Sequence, residues 1–265
     1  AALSSLRIAR PDWTSDFACL LVDGLSLKED QLAAALAAAL GPTPFFGGSA
    51  GDGLRFQSTK VLADGTVRGD AAVAVLVRSS CPFQIFKIDH HAPTDVKMVV
   101  TAADPERRIV SEINAEPAAA EYARILGKDP GQLTPFFFAA HPLLVQIGGQ
   151  KHVRSIQRVR DDGALVFFSA IDEGVVLTVA EAGDIAAHLD ESLHALGRDR
   201  APEAIIGFDC ILRRLEAEQS QAAGAVSRCF SRHGVVGFNT YGEQINGAHV
   251  NQTLTGIAVY APDEF

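Results

Sequence analysis

The sequence predicts an α/β fold with mixed sheets and hairpins, arranged as two halves of related plan. Three observations predict it. A strand–helix–strand pattern opens the chain, a second one closes it, and Asp-Gly pairs between apolar runs mark hairpins. The 265 residues are 48% hydrophobic and 21% charged, enough apolar material for a core and no compositional sign of disorder.

The first run, 17–23 (FACLLVD), is apolar up to its last residue, as suits a strand buried on both faces. Gly24 breaks it. Ser26 and Glu29 have capping-box spacing, so a helix is expected from there to about Leu40, stopped by Gly41-Pro42. Extended structure resumes at 44–47, which favours a parallel pair with a right-handed crossover. Hairpin arms at 56–63 and 66–77 flank Asp64-Gly65, and arms at 153–160 and 165–169 flank Asp162-Gly163. Further strands are expected at 84–89, 97–101, 136–139 and 175–180. Helices are expected at 118–126 and 184–196, each ended by a glycine. The C-terminal part repeats the opening plan: strand 204–209, helix 212–232, strand 235–238, a turn at 239–244 and a long final strand 249–260. As a structural duplication, this weak repeat predicts two α/β halves enclosing a cleft, divided between about residues 80 and 150.

Charge and cysteine usage narrow the function classes. Twenty-three Lys and Arg stand against 32 Asp and Glu, a formal charge of -9, and no dense basic run offers a surface for nucleic acid. Near-apolar stretches such as 32–40 fall short of the roughly 18 to 20 residues that span a bilayer. Cys19, Cys81, Cys210 and Cys229 are far apart with no CxxC pair, which points to a reducing compartment and a cytoplasmic location.

The glycine run 47–53 precedes a hairpin, so it lacks the helix N-terminus that a phosphate-cradling loop needs. There is no Gly-x-Ser-x-Gly elbow and no HExxH. The carboxylate pairs Asp161-Asp162 and Asp263-Glu264 read as solvated surface, and Cys210 and Cys229 as buried thiols. His90 and His91 are adjacent, so on a strand they are expected to face opposite ways; His188 and His194 fall on roughly opposite sides of a helix. His141 and His249 are single imidazoles near expected strand ends. A hydrogen-bonded structural histidine is the ordinary account of each, yet one imidazole suffices to bind a haem iron.

The densest polar cluster is 237–244 (GFNTYGEQ) followed by 249–255 (HVNQTLT). On one strand, His249, Asn251, Thr253 and Thr255 share a face. Amides, hydroxyls and an imidazole converging near a glycine turn describe a pocket for a small polar ligand.

In this cluster the sequence resembles the C-terminal region of the FIST family of sensory domains, through 235–244 (VVGFNTYGEQ) and 249–253 (HVNQT). The stretches 46–52 (FGGSAGD), Asp64-Gly65 and 70–73 (DAAV) resemble the N-terminal FIST region; 152–156 (HVRSI) and 210–215 (CILRRL) also fit. The resemblance implies an N-terminal region over 1–110, whose start is expected to be missing, and a C-terminal region over 111–265. It implies a non-enzymatic sensor in bacterial signal transduction, with ligand-binding residues Arg154, Asn239, Tyr241, Gly242, Glu243, His249, Asn251 and Gln252.

One bacterial branch similar in these motifs binds haem, senses nitric oxide and acts on a partner histidine kinase or cyclic-di-GMP enzyme. With no other output domain visible in the chain, haem-based nitric oxide sensing is the preferred specific reading. His249 and His141 are the candidate axial ligands. The alternative is an amino-acid or organic-acid sensor without haem, in which Arg154 grips a carboxylate. A third reading is a hydrolase or lyase using Tyr241, Glu243 and His249 as acid–base groups.

Overall fold

A computed structural model describes Trp13, residues 15–147 and residues 149–262. The pair Asp263-Glu264 lies outside the described residues. The expected mixed α/β architecture is present. Because the first apolar run must be covered on both sides, strand Ser15–Asp23 lies inside a five-stranded sheet. It is parallel to Phe45–Ala50 on one side and antiparallel to Ala72–Ser79 on the other. Helix Glu29–Leu40 crosses between the parallel strands, and its Ala33 and Leu36 pack on Ala18, Leu20 and Phe45. Gly41 ends it at φ +61°, its amide bonded to the Ala37 carbonyl. The expected capping box does not form. The Ser26 hydroxyl accepts only from the Lys28 amide, and Glu29 is drawn to Arg108 instead.

The C-terminal half has the same topology. Strand Ala204–Cys210 lies between Val235–Thr240, parallel, and Leu254–Val259, antiparallel, in a four-stranded sheet. Chain order and pairing sense match those of the opening unit, so the duplication predicted from sequence exists at the level of topology. Each half then lends the other a piece. The hairpin Glu243–Ile245 and Ala248–Val250 leaves its own half and pairs with Phe45–Ala50. In return, Phe83–Ile88 from the N-terminal half pairs with Leu254–Val259. The two sheets meet at an apolar interface where Phe46 stacks on Phe208, ring centroids 5.4 Å apart, beside Ile257.

Three sequence expectations are corrected here. The final strand is two strands, Ala248–Val250 and Leu254–Val259, separated by a kink in which Gln252 takes φ 52°. The helix 212–232 is two helices, Ile211–Gln219 and Ala223–Arg232, parted where Gln221 takes φ 58°. The run 136–139 is helical: Pro135–Ala140 forms a short helix because Pro135 suits its first turn and the Thr134 hydroxyl accepts from the Phe137 amide.

In chain order, the segment between the halves forms an eight-stranded antiparallel sheet. Its order runs Gln150–Arg154, Leu143–Ile147, Val176–Ala182, His91–Asp104, Ile109–Ile113, Leu165–Phe167 and Ile156–Val159, with Glu116–Pro117 beside Ile109–Ile113. Met98, Val100, Tyr122, Leu165 and Leu177 fill its core. Asp64 and Gly65, both at positive φ, make the expected tight turn of the small hairpin Val61–Ala63 and Thr66–Arg68. Among the described residues, no helix is long and apolar enough to cross a membrane.

Candidate functional site

The borrowed hairpin carries Glu243 and His249, and Tyr241, Gly242, Asn251 and Gln252 flank it, so most of the predicted ligand residues gather at the seam between the halves. His249 is enclosed on every side. Its Nδ1 lies 3.1 Å from Nε2 of Gln244, its Nε2 lies 3.3 Å from the Phe168 carbonyl, and Nδ1 is also 3.1 Å from the Glu243 carbonyl. A neutral ring that accepts from Gln244 at Nδ1 and donates to Phe168 from Nε2 satisfies both nitrogens. Burial lowers the pKa of His249 and favours that neutral form. Asn251 accepts from the Ser169 hydroxyl at 2.8 Å, and the amide of Gln252 donates to the Ala139 carbonyl at 2.9 Å.

The Glu243 carboxyl, fully buried, sits between the Thr240 and Thr253 hydroxyls at 2.5 and 2.6 Å, and burial pushes its pKa up to about 8. Tyr241 reaches across the seam. Its hydroxyl bonds the Asp52 carboxylate and the Gly53 carbonyl, and its ring stacks on Phe56 at 4.6 Å. Asn239 donates to the Asp209 carbonyl at 3.2 Å. Gly242 is needed for close approach, but the group that approaches is the His249 ring. His249, Tyr241, Glu243, Asn251 and Gln252 therefore join elements of the protein to one another. Gln244 and Ser49, bonded at 2.9 Å, extend this network, in which Gln244 Oε1, Asn251 Nδ2 and Gln252 Oε1 are buried without a hydrogen-bond partner. Ser49 and Gln244 both lie inside motif stretches, 46–52 for Ser49 and 235–244 for Gln244, but only Gln244 is near His249 in sequence; Ser49 reaches the network through the fold.

Arg154 differs from the rest. It is buried, and Nη1 donates to the carbonyls of His249 at 3.0 Å and Val153 at 3.4 Å. Among the described residues it has no carboxylate partner. Taking a guanidinium out of water is costly, and burial lowers the pKa of Arg154 against the through-space pull of the Asp30 carboxylate. The same side chain lines a cavity of about 430 Å³, together with Asp30, Gln146, Ala170, Asp172 and Val176. Asp30 comes from the start of the first helix, where it is held at 3.1 Å by Arg108 and at 3.4 Å by the Ala170 amide. The lining thus offers one planar cation, Arg154, and two carboxylates, Asp30 and Asp172, of which Asp30 is the one held in place by Arg108. Sequence reasoning found Arg154 but not Asp30, which lies outside the motif stretches and enters through the fold.

Of the two histidines proposed for haem, His249 is committed within the protein, whereas His141 has one ring nitrogen, Nε2, without a hydrogen bond among the described residues. His249 has both nitrogens engaged inside the protein. His141 closes the short helix 135–140, stacks on Phe137 at 4.2 Å and uses Nδ1 on the Phe137 carbonyl at 3.0 Å. Neither lines the Arg154 cavity or the larger one of about 520 Å³ beside Glu216. His90 and His91, expected to face apart, instead converge on Glu216, with ring centroids 4.3 Å from each other. The chain passes from one sheet to another at 89–90, so strand alternation does not hold there. His90 is not free for a metal: Arg213 donates to its Nδ1 at 3.1 Å, which leaves its Nε2 proton on Glu216 at 2.5 Å.

Comparison with protein families finds the FIST N domain over residues 1–116 and the FIST C domain over residues 118–246. No curated protein and no solved structure matches the chain.

Proposed function

The chain is a FIST-domain protein, an N domain followed by a C domain, and on that premise we propose that it is a non-enzymatic sensor holding a small amino acid in the Arg154 cavity. FIST domains are associated with small-ligand sensing in signal transduction. The observation that carries the ligand class is the buried Arg154 guanidinium, which lines a cavity and lacks a carboxylate partner. A ligand carboxylate pairs with its planar fork, and a ligand ammonium faces Asp30. An organic acid without an ammonium uses the Arg154 wall alone.

The cavity also suits signalling. Arg154 is bonded to the His249 carbonyl, on the hairpin that joins the C domain to the N-terminal sheet, and Asp30 begins the first helix. A ligand that draws Arg154 and Asp30 together loads both elements at once, and a partner histidine kinase or cyclic-di-GMP enzyme reads the change. The residues expected to act as acid–base groups in a hydrolase, Tyr241, Glu243 and His249, are committed to internal hydrogen bonds and line no wall of this cavity.

Calorimetry against a panel of amino acids and organic acids tests the reading. At least one amino acid is expected to bind one-to-one, with affinity reduced at least tenfold in Arg154→Lys, which keeps the charge and loses the fork. Circular dichroism checks that the variant folds. No binding across the panel, together with a stoichiometric Soret band on hemin titration that shifts with nitric oxide, would return the assignment to haem.

A further inference from the structure

Cys229 and His233 lie four residues apart at the end of helix Ala223–Arg232, and the His233 amide donates to the Cys229 carbonyl at 3.1 Å. This spacing places both side chains on one helix face. Asp190, midway along helix Ile185–Leu196, faces them. Its Oδ1 is 3.5 Å from Cys229 Sγ and 2.9 Å from His233 Nε2, and the three ligand atoms all lie within 4.8 Å of one another. A tetrahedral zinc-class ion, with bonds of about 2.3 Å to sulfur and about 2.0 Å to nitrogen and oxygen, holds its ligand atoms roughly 3.3 to 3.5 Å apart. The cluster is within a few tenths of an ångström of that geometry along both measured edges.

A second observation points the same way. Asp190 Oδ1 faces three donors at once: the Cys229 thiol, the His233 ring and Arg232 Nη1 at 2.9 Å. A carboxylate oxygen has about two lone-pair sites, so this atom is oversubscribed. Replacing the thiol proton and the ring Nε2 proton by one cation relieves it. Arg232 then remains on Oδ2, where it already sits at 3.0 Å, as the outer partner that ligating carboxylates usually have.

We propose that Asp190, Cys229 and His233 form a site for a zinc-class divalent cation that clamps these two helices. On binding, the Cys229 thiol gives its proton to solvent and the sulfur becomes a thiolate ligand. His233 stays neutral and carries its remaining proton on Nδ1, and water takes the fourth position. The ion has access from solvent, because Asp190 and Arg232 are exposed at the surface. The site is separate from the Arg154 cavity and does not depend on what that cavity binds.

Cobalt(II) is the probe, titrated into the full chain after treatment with a chelator. One equivalent is expected to produce a thiolate-to-cobalt charge-transfer band with strong tetrahedral ligand-field bands, and one equivalent of zinc to abolish both. Cys229→Ser should lose the charge-transfer band. His233→Gln should weaken binding at least tenfold, as removal of one of three ligands implies. Melting temperature should rise with zinc in the wild type and stay fixed in Cys229→Ser, which also reports that the variant folds. Only the weak spectrum of octahedral cobalt, or a charge-transfer band that persists in Cys229→Ser, would overturn the proposal.

Discussion

Cε1 of His249 lies 2.4 Å from the point where a β-carbon on Gly242 would stand. Nothing around the ring can yield easily, because Gln244 holds one nitrogen and the Phe168 carbonyl faces the other. Gly242→Ala should therefore destabilise the fold by about 1–3 kcal/mol, the usual cost of overpacking a filled site. Urea denaturation measures it. A change within about 0.5 kcal/mol would mean that His249 moves freely.

Glu243 predicts a pH dependence. Its carboxyl is held protonated by burial, with a pKa of about 8 against an ordinary value of 4.5. The native state then binds more protons than the unfolded chain between those values, so stability falls as pH rises. The contribution is fully present below about 4.5 and is lost as pH rises through about 8. Glu243→Gln removes this slope while leaving groups that can bond Thr240 and Thr253. Denaturation midpoints at pH 5 and pH 8 should lie closer together in the variant than in the wild type. An unchanged difference would assign the pH dependence to other groups.

Arg108 joins the N-terminal helix to the middle sheet through a buried pair with Glu29 at 2.5 Å, and it also donates to the Phe168 carbonyl. Arg108→Met strands the Glu29 charge and should cost about 3–5 kcal/mol. The double variant Arg108→Met, Glu29→Gln should recover much of that loss, since the fully buried partner no longer carries a charge and Asp30, which also loses its Arg108 contact, is partly exposed to water. A double variant no more stable than the single one would show that the Phe168 contact, not the ion pair, carries the energy.

The local plan of both halves was legible because a continuous apolar run, a glycine stop and an Asp-Gly turn each act over a few residues. The exchange of pieces was not. Pairing Glu243 with Gly48 joins positions far apart in sequence, and nothing local in 243–250 announces which sheet edge it will meet. The run 136–139 reads as a strand from sequence and folds as a helix, because a short apolar run fits either and the Thr134-Pro135 cap decides between them. At the site, the motif residues were found but their role was only partly legible. Polarity shows that they need partners, and burial at the seam makes most of those partners protein groups, with Asn251 Nδ2 and Gln252 Oε1 left unpartnered. Asp190 and Cys229 form a cluster only through helix packing, although the Cys229–His233 spacing was visible.

Asp30 separates the two ligand classes that Arg154 can accept. Its carboxylate lines the cavity and contacts Arg108 and the Ala170 amide. Asp30→Asn keeps an oxygen for those contacts and removes the charge that an ammonium would face. If the ligand is an amino acid, its affinity should fall at least tenfold in this variant, about 1.4 kcal/mol. A carboxylic acid of the same size without the amino group should bind the two proteins equally, or bind the variant slightly better, because repulsion from Asp30 is gone. Calorimetry on matched pairs, such as an amino acid and its deaminated analogue, gives both numbers in one series. Equal losses for both members of a pair would indicate that Asp30 acts by positioning the helix start and not by meeting the ammonium.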